Sequence, residues 1–301
     1  MVPSPVLTER SADGLLLVGH GSRSATGAAE LLTLGELVAR ATGEMPVETG
    51  FLELCEPRAG VVLDRLVDRG ARRVAVVPLM LNAAGHAKSD VPAVVLDGRA
   101  RHPTVTLRYG RALGIDHTTV ALARQRILHA GGEGVPLLVV ARGTSEPEAN
   151  ADGARVARLL AEMCGAPLVV TGYSGLTWPL VPDALEHCRR LGAEVVVQLA
   201  WYLCTGVLVE RMREEAATWS AATGIPVRWA GHLGPDPALV PLVLSRAAEA
   251  LEGAVHMSCD VCSYRAPFPG VEDRVGQAVG VGHSHLAAQH RSPAHPSHPH
   301  R

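Results

Sequence analysis

Lysine is nearly missing from this chain: of 28 basic residues only Lys88 is a lysine, and the rest are arginine. A bias of this kind reflects genome composition and carries no function by itself. An excess of either charge is missing as well. The 28 basic residues stand against 30 acidic ones, for a formal net charge of −2. No global field therefore draws the chain to nucleic acid or to an anionic membrane surface. The longest apolar runs, such as Val74 to Leu81, are strand-sized and fall far short of the ~20 residues a membrane-spanning helix needs. Met1 to Arg10 holds two prolines and no charged-then-apolar order, so no signal peptide is expected. The six cysteines lack the spacing of a disulfide scaffold, which favours thiols in a reducing cytoplasm. What is present is ample apolar material: 301 residues, 47% hydrophobic and 19% charged, enough for a real core and two domains of ordinary size.

The chain contains itself twice. At an offset of 122 residues, Gly21 matches Gly143, Gly50 matches Gly172, Pro57 matches Pro179, and Gly70-Ala71 matches Gly192-Ala193. Gly85 matches Gly206 after a one-residue slip, and Leu113-Gly-Ile-Asp116 matches Leu233-Gly-Pro-Asp236 at offset 120. A register kept over so many glycines and prolines marks an internal duplication.

Short, apolar, often β-branched segments read as strands: Leu15–Val18, Val47–Leu52, Val74–Leu79 and Val105–Arg108, then Pro136–Val140, Leu168–Thr171, Glu194–Leu199 and Pro226–Trp229. Between the strands of the first half, Ala28–Ala41, Arg58–Arg69 and Thr118–His129 carry apolar residues at helical spacing. Strand–helix alternation implies parallel sheets with right-handed crossovers. The expected class is α/β, with two tandem similar lobes, each a parallel sheet flanked by helices, and an active-site cleft between them. The boundaries read as an N-terminal extension over 1–13, lobes over 14–131 and 136–251, a Cys-x-x-Cys segment over 252–280 and a disordered histidine-rich tail over 281–301. Gly131-Gly-Glu-Gly134 is a hinge candidate.

Three side chains at strand ends point to metal chemistry. His20 lies in Val18-Gly-His-Gly-Ser22, directly after a strand. His86 lies in Asn82-Ala-Ala-Gly-His-Ala-Lys88, after the third strand, and Glu53 follows the second. Neighbouring parallel strands lie ~5–10 Å apart, so two imidazoles and a carboxylate can share one divalent ion with positions left free. The repeat sharpens the reading. In the second lobe Arg142 stands at the position of His20, Gly175 at that of Glu53 and Val207 at that of His86. All three ligands vanish together while the structural glycines persist, as expected of one active lobe and one partner lobe. Gly21, Ser22 and Arg23, ahead of a helix, offer N–H groups and charge to an anion, and Arg142, Thr144 and Ser145 offer the same from the other lobe. Cys259 and Cys262, in Met257-Ser-Cys-Asp-Val-Cys262, have the spacing of a zinc, cluster or dithiol pair. The histidines at 283, 285, 290, 295, 298 and 300 sit among Ser, Pro and Ala, a weak collector of divalent ions.

Taken together, Val18-Gly-His-Gly-Ser22, Gly50-Phe-Leu-Glu53 with Glu56-Pro57, and Pro78-Leu79 through Gly85-His86 resemble the sirohydrochlorin chelatases of the CbiX type. The duplicated body, the Cys-x-x-Cys and the histidine-rich end resemble the long form, which implies cobaltochelatase activity in cobalamin synthesis. The resemblance implies that His20 and His86 bind the metal and take part in proton removal, with Glu53 assisting. It also implies a [4Fe–4S] cluster at Cys259 and Cys262, and a cluster shared by two chains would place that pair on a homodimer axis. On this reading Co²⁺ and sirohydrochlorin are substrates, and Ser22, Arg23, Asn82, Lys88 and Arg142 meet the tetrapyrrole and its carboxylates. The rival expectations are Fe²⁺ insertion, a metal carrier without enzymatic activity, and a two-lobed periplasmic-type binding protein.

Overall fold

The structure is a computed structural model that describes residues 13–255, 262–264, 267–270 and 272–277. Cys259, the preceding Met257 and the histidine-rich tail lie outside these residues. Eight strands form two four-stranded sheets, in the orders β2-β1-β3-β4 and β6-β5-β7-β8. In the first, β1 (Gly14–Gly19) lies between β2 (Val47–Phe51) and β3 (Arg73–Pro78), with β4 (Thr106–Tyr109) at the edge. In the second, β5 (Leu137–Ala141) lies between β6 (Val169–Tyr173) and β7 (Val196–Ala200), with β8 (Val227–Gly231) at the edge. All pairs are parallel. The α/β expectation of two similar lobes with helix-flanked parallel sheets holds.

The helices are α1 (Ala25–Thr42), α2 (Ala59–Asp68), α3 (Val91–Arg101), α4 (His117–His129), α5 (Pro147–Cys164), α6 (Val181–Arg190), α7 (Val207–Thr223) and α8 (Val240–Glu252). Their starts follow capping chemistry. The Ser24 hydroxyl accepts from Gly27 N–H at the head of α1, and Asp116 and Thr119 form a reciprocal capping box at the head of α4. The period-2 pleat sorts the side chains. Leu15 and Leu17 face a core shared by both lobes, whereas Leu16 and Val18 pack under α2 and α3. The shared core gathers α1, α4, α5 and α8 between the two sheets, and α6 and α7 cover the far face of the second.

Helix packing does not follow the sequence repeat. The last helix of the first repeat, α4, packs on β7, β8 and α5, and the last helix of the second, α8, packs on β3, β4 and α1. Each exchanged helix clasps the opposite lobe with an arginine. Arg126 of α4 donates to Leu233 O at 3.2 Å and Asp236 Oδ2 at 3.0 Å, and Arg246 of α8 donates to Leu113 O at 3.0 Å and Asp116 Oδ2 at 3.1 Å. The repeated Leu-Gly-x-Asp turns are the receptors for these clasps. The loops at the carboxyl ends of the strands also meet across the lobes. Glu30 of α1 accepts from Thr205 N–H at 2.6 Å and lies 3.0 Å from His232 Nε2.

Candidate metal centre

Because β1 sits between β2 and β3, the chain turns to one side from β1 to β2 and to the other from β3 to β4. This switch opens a crevice at the carboxyl ends, the usual ligand position in such sheets. His20, Glu53 and His86 leave the adjacent strands β1, β2 and β3. Gly19 is in register with Phe51 and Val18 with Pro78, so the three loops emerge side by side. Glu53 N–H donates to His20 O at 3.1 Å, tying the first two loops together. Gly21, at φ 101°, lets them approach: a Cβ there would lie 1.8 Å from the Glu53 carbonyl oxygen.

The ligand atoms converge. His20 Nε2 is 3.1 Å from Glu53 Oε1, and the His20 and His86 rings meet edge-on with centroids 4.1 Å apart. One ligand atom from each of His20, Glu53 and His86 lies within 4.8 Å of the others, and among the described residues no other group of three His, Cys, Asp or Glu side chains does so. Hydrogen bonds orient both rings. His86 Nδ1 is 2.6 Å from Asp90 Oδ2, and His20 Nδ1 is 2.9 Å from Gly21 O. The Asp90 carboxylate only accepts, so His86 Nδ1 carries the proton and its Nε2 presents a lone pair, the usual outer support of a metal-binding histidine, whereas His20 has an acceptor at each ring nitrogen, the Gly21 carbonyl at Nδ1 and Glu53 at Nε2. Burial holds His20 below the ordinary histidine value, and the neighbouring His86 adds to this. The Gly21 carbonyl and Glu53 pull the other way, and Arg142, reaching over from the second lobe, lowers it further. An imidazole pair beside a carboxylate attracts a dication.

Asp90 was not among the residues singled out from sequence; its signal is the i, i+4 spacing from His86 on one wide helical turn, His86–Asp90. The same turn is tethered from β4, where the Tyr109 hydroxyl donates to Ala87 O.

The other expected substrate contacts divide. Arg23 and Arg142 are exposed on opposite lobes. Ser22 Oγ accepts from Ser24 N–H at 3.0 Å and lies beside Gly206 of the second lobe. Asn82 Oδ1 is buried with no hydrogen-bond partner among the described residues. Lys88 is not in the open cleft. It is 7% exposed, with Nζ 2.7 Å from Glu148 Oε2 and 3.8 Å from Glu146 Oε2. Two carboxylates of the second lobe neutralise it, so it joins the lobes. Thr144 N–H is taken by the Asn150 and Thr177 side chains, and Ser145 Oγ by Arg274. Of the expected cysteine pair only Cys262 is described, and it is buried. No cysteine joins the one ligand group found among the described residues. None of the described helices is long and apolar enough to cross a membrane.

Two sheets of this topology, with two histidines and one carboxylate gathered at the switch point of only one of them, define a two-lobed α/β protein with one candidate divalent-cation site among the described residues. The CbiX family model matches residues 14–130 and 136–250. A sirohydrochlorin cobaltochelatase of Priestia megaterium is 35% identical over 258 residues, covering 83% of this chain and 84% of that one. A sirohydrochlorin ferrochelatase of the same organism is 32% identical over 206 residues, covering 67% and 77%. The solved sirohydrochlorin chelatase SirB of Bacillus subtilis subspecies spizizenii, in complex with cobalt, superposes with a TM-score of 0.68 at 27% identity, covering 80% of this chain and 95% of that one. The chain belongs to the CbiX family of sirohydrochlorin chelatases.

Proposed function

We propose that the protein inserts Co²⁺ into sirohydrochlorin, with His20 and His86 as metal ligands and proton acceptors. The observation that carries this reading is the convergence of His20, Glu53 and His86 within 4.8 Å at one switch point. Insertion exchanges two pyrrole N–H protons for one dication. The two imidazoles bind the incoming ion through Nε2, and Glu53 offsets part of its charge. As ring nitrogens replace the protein ligands, each released Nε2 is a base positioned for a departing proton. Asp90 stabilises the imidazolium that forms on His86.

The surroundings suit a flat, carboxylate-rimmed macrocycle. Arg23 and Arg142 offer cations from opposite sides of the cleft. Leu54 and Leu176 occupy matching positions in the two repeats, both with positive φ (68° and 60°), and both are exposed, at 44% and 81%. A leucine held at positive φ at a strand's carboxyl end is costly and suits a contact surface for an apolar ring face. Cobalt is favoured over iron because the cobaltochelatase relative aligns over more of the chain at higher identity; imidazole and carboxylate accept either ion. The test is purified protein with sirohydrochlorin and Co²⁺ or Fe²⁺ in parallel, followed by the visible spectrum. Faster Co²⁺ insertion is expected. Faster Fe²⁺ insertion would reassign the metal, and no rate above the uncatalysed background with either would remove the proposal.

A further inference from the structure

Glu146, at the head of α5, is 2% exposed and is a junction of three parts of the molecule. It belongs to the second lobe. It faces Lys88, which lies on the turn that carries His86. Its remaining partners come from the segment that follows the second lobe. Ser263 Oγ donates to Glu146 Oε2 at 2.6 Å, and the Arg274 guanidinium pairs with Oε1. The segment closes on itself, with Gly276 N–H donating to Tyr264 O at 3.1 Å. Cys262, Ser263 and Tyr264 are all buried. The Tyr264 hydroxyl lies against Ser89, beside Asp90 and Lys88. Asp90 is the carboxylate that holds His86 Nδ1.

Charge balance explains why the segment matters. Glu146 and Glu148 place two carboxylates around the single cation of Lys88, and Arg274 is the second cation. Without it the buried Glu146 carboxylate would lose its cation at Oε1, which is costly, and the adjustment would fall on Lys88 and its turn. From this juxtaposition we infer that the segment described at 262–264, 267–270 and 272–277 is a strap that sets the position of His86, with Arg274 and Tyr264 as positioning residues for the metal site. Arg274 fixes the turn through Glu146 and Lys88, and Tyr264 packs on the Ser89–Asp90 end. The inference rests on the reading of His86 as a metal ligand.

The experiment titrates the full-length chain with Co²⁺ alone, without tetrapyrrole, and reads the ligand-field absorption and Kd beside a thermal melt. His86→Ala is expected to abolish tight binding. Arg274→Met is expected to weaken binding about tenfold, the usual scale for outer support of a ligand, and Arg274→Lys to recover most of it. Tyr264→Phe removes a single hydroxyl while keeping the ring, and is expected to shift the Co²⁺ spectrum and weaken binding several-fold. If Arg274→Met fails to fold, Arg274→Lys and Tyr264→Phe decide. Wild-type Co²⁺ affinity and spectrum in Tyr264→Phe and in the folded Arg274 variants, with binding lost in His86→Ala, would overturn the strap and leave the metal site standing. Wild-type affinity in His86→Ala would remove both.

Discussion

Replacing Gly21 by alanine separates what the first lobe needs for folding from what it needs for metal. The residue sits at φ 101°, and its new methyl would lie 1.8 Å from the Glu53 carbonyl oxygen. The left-handed conformation costs an L-residue about 1–2 kcal/mol, and forcing a methyl into filled space costs about 1–3 kcal/mol. Gly21→Ala should therefore lose about 2–5 kcal/mol of unfolding free energy. The repeat supplies the control. Gly143 has φ 75°, and its Cβ would lie 1.9 Å from the Gly175 carbonyl oxygen, so Gly143→Ala should lose a similar amount. Only in the first lobe does the displaced loop carry a ligand. Glu53 is held to His20 by its own N–H, and its carbonyl accepts from Cys55 N–H at 2.8 Å, so pushing that carbonyl away drags the carboxylate with it. Urea denaturation of both variants and a Co²⁺ titration followed by visible absorption test the pair. Co²⁺ affinity should fall at least about tenfold in Gly21→Ala and stay near wild type in Gly143→Ala. Unchanged affinity in Gly21→Ala, or equal loss in both, would refute the reasoning.

His20→Ala and His86→Ala should each abolish insertion while leaving the circular-dichroism melt near wild type, since both side chains stand at strand ends outside the cores; retained insertion would exclude that residue as ligand or base. Asp90→Asn should weaken Co²⁺ binding about 10–100-fold, because it removes the negative charge on His86 Nδ1 and lets an amide N–H face that nitrogen, so the tautomer is no longer fixed; unchanged affinity would show that the pair is dispensable. Histidine NMR on the metal-free protein should find His20 titrating below 6.5, so that it stays neutral as pH falls past that value and protonates only at lower pH. Arg142→Gln, which removes a nearby positive charge, should move its midpoint upward, and a midpoint above 6.5 in the wild type would contradict the burial argument. Leu176→Asp should raise KM for sirohydrochlorin by about tenfold, on the scale of 1–3 kcal/mol for a buried apolar contact, with Co²⁺ affinity unchanged; an unchanged KM would remove Leu176 from the substrate surface.

The strands were legible in the sequence because they are short, apolar and often β-branched runs, and they fall within one or two residues of expectation. The candidate site was legible because His20, Glu53 and His86, which the structure brings together, are the polar residues that break the repeat. Asp90 and α3 were not. Val91–Arg101 has apolar residues on more than one side, so no single stripe marks it as a helix, and a carboxylate four residues from a histidine is too common to single out. Lys88 misled for a physical reason: a lone lysine beside a candidate ligand suggests an anion site, but its partners lie some sixty residues away on the second lobe, at Glu146 and Glu148. The helix exchange was equally invisible, since the repeat shows which segments are alike and not which sheet each one covers.

That exchange has a consequence for how such a chain is assembled. A polypeptide with one repeat alone would send its last helix away from its own sheet and leave a hydrophobic face bare, so it would be complete only in the company of a second copy returning the same helix. Joining two copies end to end turns this trade between molecules into one within a molecule. Once the partners are fused they need not remain identical. The half whose strand ends lack the two histidines and the carboxylate is then free to drift, with Arg142 where its twin keeps His20, because it is held by the clasps of Arg126 and Arg246 rather than by a site of its own.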